Sequence, residues 1–235
     1  MSCFIEHLVE PQSLLLYWQA SESKQRSRHH VGQLIKRDGE VILQYNNDIE
    51  ADKAKKLGFQ GYPAFPLKTA EHCNQVMEAF KRRLPPRNRR DFGRYLELRA
   101  IPADAEISDF ALLGYSGGKL PDDSFELVHP FNNPPTRFEL LIEVAGFRYE
   151  AKVKIEQLQL GDKVEFILEP YNEHDPKAIR MESGGLKLGY VPRGHLEMLH
   201  RMILKGAVVE GEIFRTNGTS ERPLVYTLTK LAHDN

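Results

Sequence analysis

The sequence has few cysteines and no long apolar run, and each absence excludes a class of protein. Cys3 and Cys73 are the only cysteines among 235 residues, and neither lies in a C-x-x-C motif. We therefore expect neither a disulfide framework nor a structural zinc site. No apolar run approaches the roughly 18 residues that a membrane-spanning helix needs, so no membrane association is expected.

The first residues also lack the pattern of an export signal. The segment MSCFIEHLVEPQ carries Glu6 and Glu10, and it has no basic region followed by an apolar core. This pattern favours a cytoplasmic protein. The chain is long enough for one large or two small domains, each with its own core, and two are favoured.

Motifs for catalysis and metal binding are missing as well. Residues 91–93 spell D-F-G, but no H-R-D loop, A-P-E segment or glycine-rich loop accompanies this kinase motif. Residues 116–120, S-G-G-K-L, partly match the end of a phosphate loop of the pattern G-x-x-x-x-G-K-[ST]. Leu113 stands in the place of its first glycine, and Leu120 stands in the place of its Ser or Thr. His195 and His200 lie five residues apart and therefore on different faces of a helix. We expect a non-enzymatic protein without metal or cofactor.

The formal charge of -1 neither favours nor excludes a nucleic-acid partner, because phosphate binding depends on how positive charges cluster. Residues 81–99 contain one Lys and seven Arg against two acidic residues. The alternative is a solvated helix face whose arginines pair with acids elsewhere. The candidate phosphate contacts are Arg82, Arg83, Arg87, Arg89 and Arg90.

The passage from residue 169 to 193 has the pattern of one supersecondary unit. It follows a predicted strand at 163–168 and begins with the turn formers Asn172, Asp175 and Pro176. Two short strands, at 178–181 and 186–191, are joined by a Ser-Gly-Gly hairpin. Apolar residues at 196, 199, 202 and 203 then predict a helix.

The order N-x-x-D-x-x-A-I and then G-Y-V-P-R resembles the HIRAN family. These are small β-barrel modules, found alone in bacteria and fused to helicase-like ATPases elsewhere. Residues 144–149 fit the first strand of the family, and residues 205–228 fit its closing strands. The resemblance implies a small OB-like barrel with one or two helices at residues 136–235.

The family captures the 3′ end of single-stranded DNA, so the resemblance also implies site residues. Arg148 and Tyr149 match an Arg-Tyr pair in which the guanidinium holds a phosphate and the ring stacks on a base. Asp175 matches the acid that accepts a hydrogen bond from the terminal hydroxyl and repels an internal phosphodiester. His174 stands where eukaryotic members often have tyrosine. The implied set is Arg148, Tyr149, His174, Asp175, Tyr190 and Arg193.

Each of these residues also has a purely structural interpretation. Asp175 caps the turn at Pro176 in that interpretation. Tyr149 and Tyr190 are then ordinary barrel residues. The two arginines pair with Glu150 or Glu169 at the surface.

The first half of the chain carries a second resemblance. Strands are predicted at 13–19, 29–35 and 41–45, with a hairpin at Asp38-Gly39. Helices are predicted at 48–57, at 73–84, and from about residue 89, after Pro85-Pro86. Across residues 10–128 the order of V-G-Q-L, F-P-L and D-F-A-L-L-G resembles the N-terminal subdomain of HipA-type kinase toxins. In that family the subdomain packs on a kinase core or forms a separate regulatory subunit.

Together these patterns predict an α+β protein of two domains, joined by a proline-rich linker at 130–135. The first, at 1–130, has a small mixed sheet with helices, and the second, at 136–235, is the barrel. The leading hypothesis is a bacterial nucleic-acid-binding protein that grips DNA 3′ ends or single strands. The alternative is a regulatory or antitoxin-like subunit that binds a HipA-type kinase. A kinase or helicase partner would supply any chemical step.

Overall fold

The computed structural model describes residues 4–20, 27–121, 123–151, 153–219 and 221–233. The chain forms two compact units that interleave in sequence. The N-terminal unit comprises residues 10–92 and 106–132, and the C-terminal unit comprises residues 1–9, 93–105 and 133–235. The sequence predicts one boundary, at the 130–135 linker. The chain also crosses from one unit to the other near residues 9, 92 and 105, and the sequence does not predict these crossings.

The N-terminal unit is built on a five-stranded sheet of order β6-β3-β2-β1-β7, and its described pairings are all antiparallel rather than mixed. A short hairpin, β4-β5, lies outside this sheet. The strands are β1 (Ser13–Gln19), β2 (Arg28–Arg37), β3 (Glu40–Tyr45), β4 (Gly61–Tyr62), β5 (Phe65–Pro66), β6 (Glu71–His72) and β7 (Phe125–Val128). The helices up to residue 116 are α1 (Ile49–Lys56), α2 (Val76–Lys81), α3 (Phe92–Glu97) and α4 (Asp109–Ser116).

Local chemistry explains several of these elements. Asp38 and Gly39 both have positive φ, 52° and 83°, as a two-residue hairpin turn requires, so the predicted β2-β3 hairpin is confirmed. The Asp48 carboxylate accepts the amide of Ala51 and caps α1. The helix predicted at 73–84 is confined to α2, because Gln75 has a left-handed φ of 55° and cannot lie inside a helix. The arginine-rich helix begins at Phe92 rather than near residue 89.

The C-terminal unit contains a six-stranded sheet of order β11-β10-β9-β12-β13-β8, curled into a half-barrel. The predicted α+β class is confirmed. The strands are β8 (Arg137–Glu143), β9 (Lys163–Leu168), β10 (Ile179–Ser183), β11 (Leu186–Tyr190), β12 (Val208–Thr219) and β13 (Arg222–Ala232). The helical elements are α5 (Phe147–Glu150), a 3-10 turn (Ile155–Gln157) and α6 (Arg193–Leu204).

Apolar residues occupy every second position of β8, which is the pattern of a strand with one buried face. Phe138, Leu140 and Ile142 are at most 3% exposed and line the core. The prediction of a strand at 144–149 was wrong, because Gly146 adopts a left-handed φ of 77° and turns the chain into α5. On the other face of β8, Glu139 accepts the backbone amides of Glu6 and His7 at 3.0 and 2.9 Å, which fixes residues 4–9 to the C-terminal unit.

Residues 93–105 join the same unit by a backbone hydrogen bond. The Ile5 amide donates to the Ala100 carbonyl oxygen at 2.6 Å. Among the described residues, no helix is long and apolar enough to span a bilayer. In the same part of the chain, no group of three or more His, Cys, Asp or Glu side chains is placed to hold a metal ion.

Candidate nucleic-acid interface

Asn172 is the residue that organises the loop between β9 and β10. Its side-chain oxygen accepts the backbone amides of His174 and Asp175 at 3.0 and 3.1 Å. Its side-chain nitrogen donates to Glu169 at 2.8 Å and to the Tyr190 hydroxyl at 3.3 Å. The amide of Asn172 therefore folds the loop and also ties it to β11. The sequence identifies this residue only as a turn former.

Asp175 caps the turn that follows. Its Oδ1 accepts the Lys177 amide at 2.9 Å, and its backbone carbonyl accepts the Ala178 amide at 2.9 Å. The capping interpretation of this aspartate is thus realised. Among the described residues, no hydrogen-bond donor reaches its second oxygen, Oδ2. Asp175 is half-buried and the neighbouring His174 is exposed.

Tyr190 lies in a small charged network. Its hydroxyl donates to the Glu169 carboxylate at 3.2 Å and accepts from the Lys187 ammonium at 3.0 Å. The ammonium of Lys187 also pairs with Glu150 on α5 and lies 4.3 Å from the centre of the Tyr190 ring. Tyr190 is therefore a half-buried member of a polar network and not an ordinary core residue.

The network shifts the pKa of two of its charged members, Lys187 and Glu169. Burial works against the charge of Lys187, but the hydrogen bonds to Glu150 and Tyr190 outweigh it and raise the pKa of the ammonium. The hydrogen bond from Asn172, together with Tyr190 and the nearby Arg180, lowers the pKa of Glu169. Both groups are thus held in their charged forms.

Gly189 lets the segment that carries Arg148 and Tyr149 approach β11 closely. Ala145 and Tyr190 exchange two backbone hydrogen bonds of 2.8 and 2.9 Å. A Cβ on Gly189 would lie 2.4 Å from the Ala145 carbonyl oxygen, and its φ of 153° lies in a region that disfavours L side chains. The glycine of G-Y-V-P-R is therefore required by this contact.

The short helix α5 presents Arg148 and Tyr149 at the surface. Phe147 is 5% exposed and anchors the helix, whereas Tyr149 is 72% exposed. The Arg148 guanidinium carbon lies 5.2 Å from the centre of the Tyr149 ring. Tyr149 is therefore not a barrel residue, and Glu150, a predicted partner of Arg148, pairs with Lys187 instead.

Part of the C-terminal unit is similar to a known domain family. Residues 138–223 match the model of the HIRAN domain family. The crystal structure of the HIRAN domain of human HLTF is 19% identical, with a TM-score of 0.32 over 41% of this chain and 77% of that chain. A crystal structure of a protein from Lactobacillus plantarum is 24% identical, with a TM-score of 0.35 over 41% of this chain and 97% of that chain. No curated protein matches the chain.

The segment that matches the HIRAN family model contains all six site residues that the sequence resemblance implies. Five of them lie on three segments that share backbone or side-chain hydrogen bonds: α5, the loop around Asn172, and the end of β11. Arg193 is exposed and begins α6, three residues after Tyr190. The resemblance of residues 10–128 to the HipA subdomain lies outside the matched segment and stays a prediction.

Two residues of this site, Lys187 and Tyr171, were missed at the sequence level. Lys187 lies three positions before the predicted Tyr190, so the two side chains would point to opposite faces of a regular strand. A bulge in β11 changes the register between them and brings both to one side. Tyr171 is 96% exposed beside Asn172, and its only sequence signal is an aromatic residue directly before the N-x-x-D motif.

Outside the segment that matches the HIRAN model, most charges of the arginine-rich segment are paired with acids. Arg83 is 5% exposed and makes two hydrogen bonds to Asp123, at 2.6 and 2.8 Å, so its assignment as a phosphate contact is corrected. Arg87 bonds Asp109 at 2.7 Å, and Arg89 bonds the neighbouring Asp91. Among the described residues, Arg82 and Arg90 are exposed and have no ion pair.

Proposed function

We propose that the HIRAN domain of this chain binds single-stranded nucleic acid and captures the 3′ hydroxyl end of a DNA strand. The observation that carries the proposal is the pairing of a 72% exposed Tyr149 ring with the Arg148 guanidinium on α5. An exposed ring offers a face for a base, and stacking contributes about 1 to 3 kcal/mol per base. The adjacent guanidinium suits the phosphate of the same nucleotide.

Asp175 supplies the proposed preference for an end. Its Oδ1 accepts the Lys177 amide of the turn. Its Oδ2 would accept the hydrogen bond of the terminal hydroxyl. A hydrogen bond to a charged acceptor contributes about 1.5 to 3 kcal/mol. A phosphate at the same place would be repelled by the carboxylate. In this proposal the aspartate caps the turn with one oxygen, and with the other it binds a 3′ hydroxyl in preference to a phosphate.

The proposed role is binding alone, with a partner protein such as a helicase or kinase supplying any chemical step. The three segments that hold the site are connected by Asn172, Tyr190 and Gly189, so the site is formed before a strand arrives. A preformed site binds without the cost of ordering its own side chains. Arg193 and His174 are exposed next to these segments and extend the contact surface.

The test compares single-stranded DNA that ends in a 3′ hydroxyl with the same strand ending in a 3′ phosphate, by fluorescence anisotropy. The decisive variant is Asp175→Asn, which keeps the capping oxygen and removes the charge. We expect the wild type to prefer the hydroxyl end by about tenfold or more, and the variant to lose that preference. Asp162→Asn is the matched control, because Asp162 caps a turn in the same unit, at 2.8 Å from the Gln159 amide. Equal, weak binding of both strands by the wild type would refute the proposal.

A further inference from the structure

A row of polar side chains crosses the face of the sheet that carries Glu139. Arg215 on β12 is paired with Tyr226 on β13, and Tyr226 is paired with Glu143 at the end of β8. Residues paired directly across strands present their side chains to the same face. The Arg215 guanidinium carbon lies 4.1 Å from the centre of the Tyr226 ring, and both residues are half-buried.

A second arginine reaches this row from residues 93–105. The guanidinium carbon of Arg99 lies 3.5 Å from the centre of the Tyr95 ring, and the group donates to the Tyr95 carbonyl at 2.9 Å. Burial lowers the pKa of Arg99, and the positive charge of Arg215 lowers it further. Backbone hydrogen bonds place this arginine beside the sheet: Ala100, the next residue, accepts from the Ile5 amide at 2.6 Å, and the following amides of Glu6 and His7 donate to Glu139 on the same face of β8.

Both arginines have unused hydrogen-bonding capacity. The Nε of Arg99 and the Nε of Arg215 are buried and have no acceptor. Within the described ranges, neither guanidinium lies within 4.0 Å of a carboxylate. Burial raises the pKa of Tyr226, and the Glu143 carboxylate in the same row raises it further. One carboxylate does not balance two arginines, so Arg99, Arg215 and Glu143 together have a net positive charge. Both residues are only half-buried, so part of each side chain stays accessible, and a net charge of this sign is complementary to an oxyanion.

We propose that Arg99 and Arg215 bind a backbone phosphate of the strand whose 3′ end the HIRAN domain captures. The inference rests on the proposed function. Glu143 and Arg148 are only five positions apart, so their Cα atoms lie within about 18 Å of each other. The Val144 amide also donates to the Val225 carbonyl at 2.8 Å, which keeps this connection against β13. A strand of several nucleotides covers that span.

The experiment uses the full chain and two single-stranded DNA lengths, about 4 and about 16 nucleotides, the limits for one OB fold. The variants are Arg99→Gln and Arg215→Gln. The charge-matched control is Arg137→Gln, an exposed arginine at the other end of β8. We expect each variant to bind the short strand like the wild type and to lose at least threefold in affinity for the long strand. The slope of log affinity against log salt for the long strand should fall by about 0.7 per arginine.

Three results would overturn the inference. If the variants match the wild type on both lengths, the phosphate site does not exist, although the proposed function stands. If they weaken both lengths equally and also lower the melting temperature, the arginines serve only the fold. If the wild type binds neither strand, the proposed function and the phosphate site fail together.

Discussion

The side-chain amide of Asn172 donates to the hydroxyl of Tyr190 across 3.3 Å, and this bond joins the two most informative motifs of the sequence. The same amide group accepts the backbone amides of His174 and Asp175, so one side chain makes four hydrogen bonds. N-x-x-D and G-Y-V-P-R are therefore one structural unit, and the loop that carries Asp175 is fixed relative to β11.

Replacing Asn172 should disturb both the loop and the binding site. Asn172→Ala removes all four hydrogen bonds, and we expect a loss of about 1 to 3 kcal/mol in the free energy of unfolding, measured with urea. The preference for a 3′ hydroxyl should fall as well, because Asp175 is no longer held. Asn172→Asp is the informative comparison, since it keeps the acceptor oxygen and loses the bonds to Glu169 and Tyr190. A fully stable Asn172→Ala variant would show that the loop does not depend on this side chain.

Replacing Gly189 should displace α5. In Gly189→Ala the new Cβ meets the Ala145 carbonyl at 2.4 Å, so the backbone hydrogen bonds of Ala145 with Tyr190 must stretch. We expect lower stability together with weaker binding of single-stranded DNA. Gly184→Ala is the control, because it also introduces a side chain at positive φ but meets no atom within 4 Å. The control should lose only about 1 to 2 kcal/mol of stability and keep its affinity. Equal affinity losses in the two variants would contradict the role given to the contact.

The charge of Glu169 should stabilise the protein only above a certain pH. Its pKa is lowered in the folded state, chiefly by the hydrogen bond from Asn172, so the unfolded chain binds a proton first as the pH falls. Compared with Glu169→Gln, the wild type should be more stable at neutral pH. This advantage should begin to shrink near the ordinary value of roughly 4.3 and vanish below the lowered pKa. Melting temperatures of both proteins between pH 7 and pH 3 measure the difference, and a difference independent of pH would exclude the charge as its source.

Arg83 should matter for stability and not for nucleic acid. Arg83→Met leaves the Asp123 carboxylate without its partner, and breaking a buried pair costs about 3 to 5 kcal/mol. Arg82→Met removes an exposed charge next to it and should change stability by less than about 0.5 kcal/mol. Denaturant unfolding gives both values. Reduced DNA affinity in folded Arg83→Met protein, with affinity unchanged in Arg82→Met, would show that Arg83 contacts phosphate after all.

The ring of Tyr149 should contribute through stacking. Tyr149→Ala is expected to weaken binding of single-stranded DNA by about 1 to 3 kcal/mol, while Tyr149→Phe retains most of the affinity. Neither change should lower the melting temperature, because the side chain is 72% exposed. Anisotropy titrations of the three proteins decide the matter. If Tyr149→Phe binds as weakly as Tyr149→Ala, the hydroxyl and not the ring face is what the strand uses.

Local patterns were sufficient for the regular elements. The alternation of Phe138, Leu140 and Ile142 predicts β8, and the positive φ values that Asp38-Gly39 favours predict the β2-β3 hairpin. The order of motifs was sufficient to find the segment that matches the HIRAN family model. These features depend on neighbours in sequence or on spacing, and both are visible in a single chain.

The sequence could not reveal features that depend on distant partners. Arg83 was misjudged because its partner, Asp123, lies 40 residues further along the chain. The strand expected at 144–149 became α5 because the left-handed turn at Gly146 and the close approach to Gly189 are tertiary contacts. Lys187 was missed because a bulge changes the alternation that sequence reasoning assumes.

The interleaving of the two units sets the order in which they can be completed during synthesis. Every residue of the N-terminal unit has been made once position 132 is reached. Residues 4–9 and 93–105 belong to the other unit, and the amide hydrogen bonds of Glu6 and His7 to Glu139 can form only once β8 has been made. Since domains generally fold as units during translation, we expect the ribosome to carry a complete first unit together with two segments of the second that still lack their sheet.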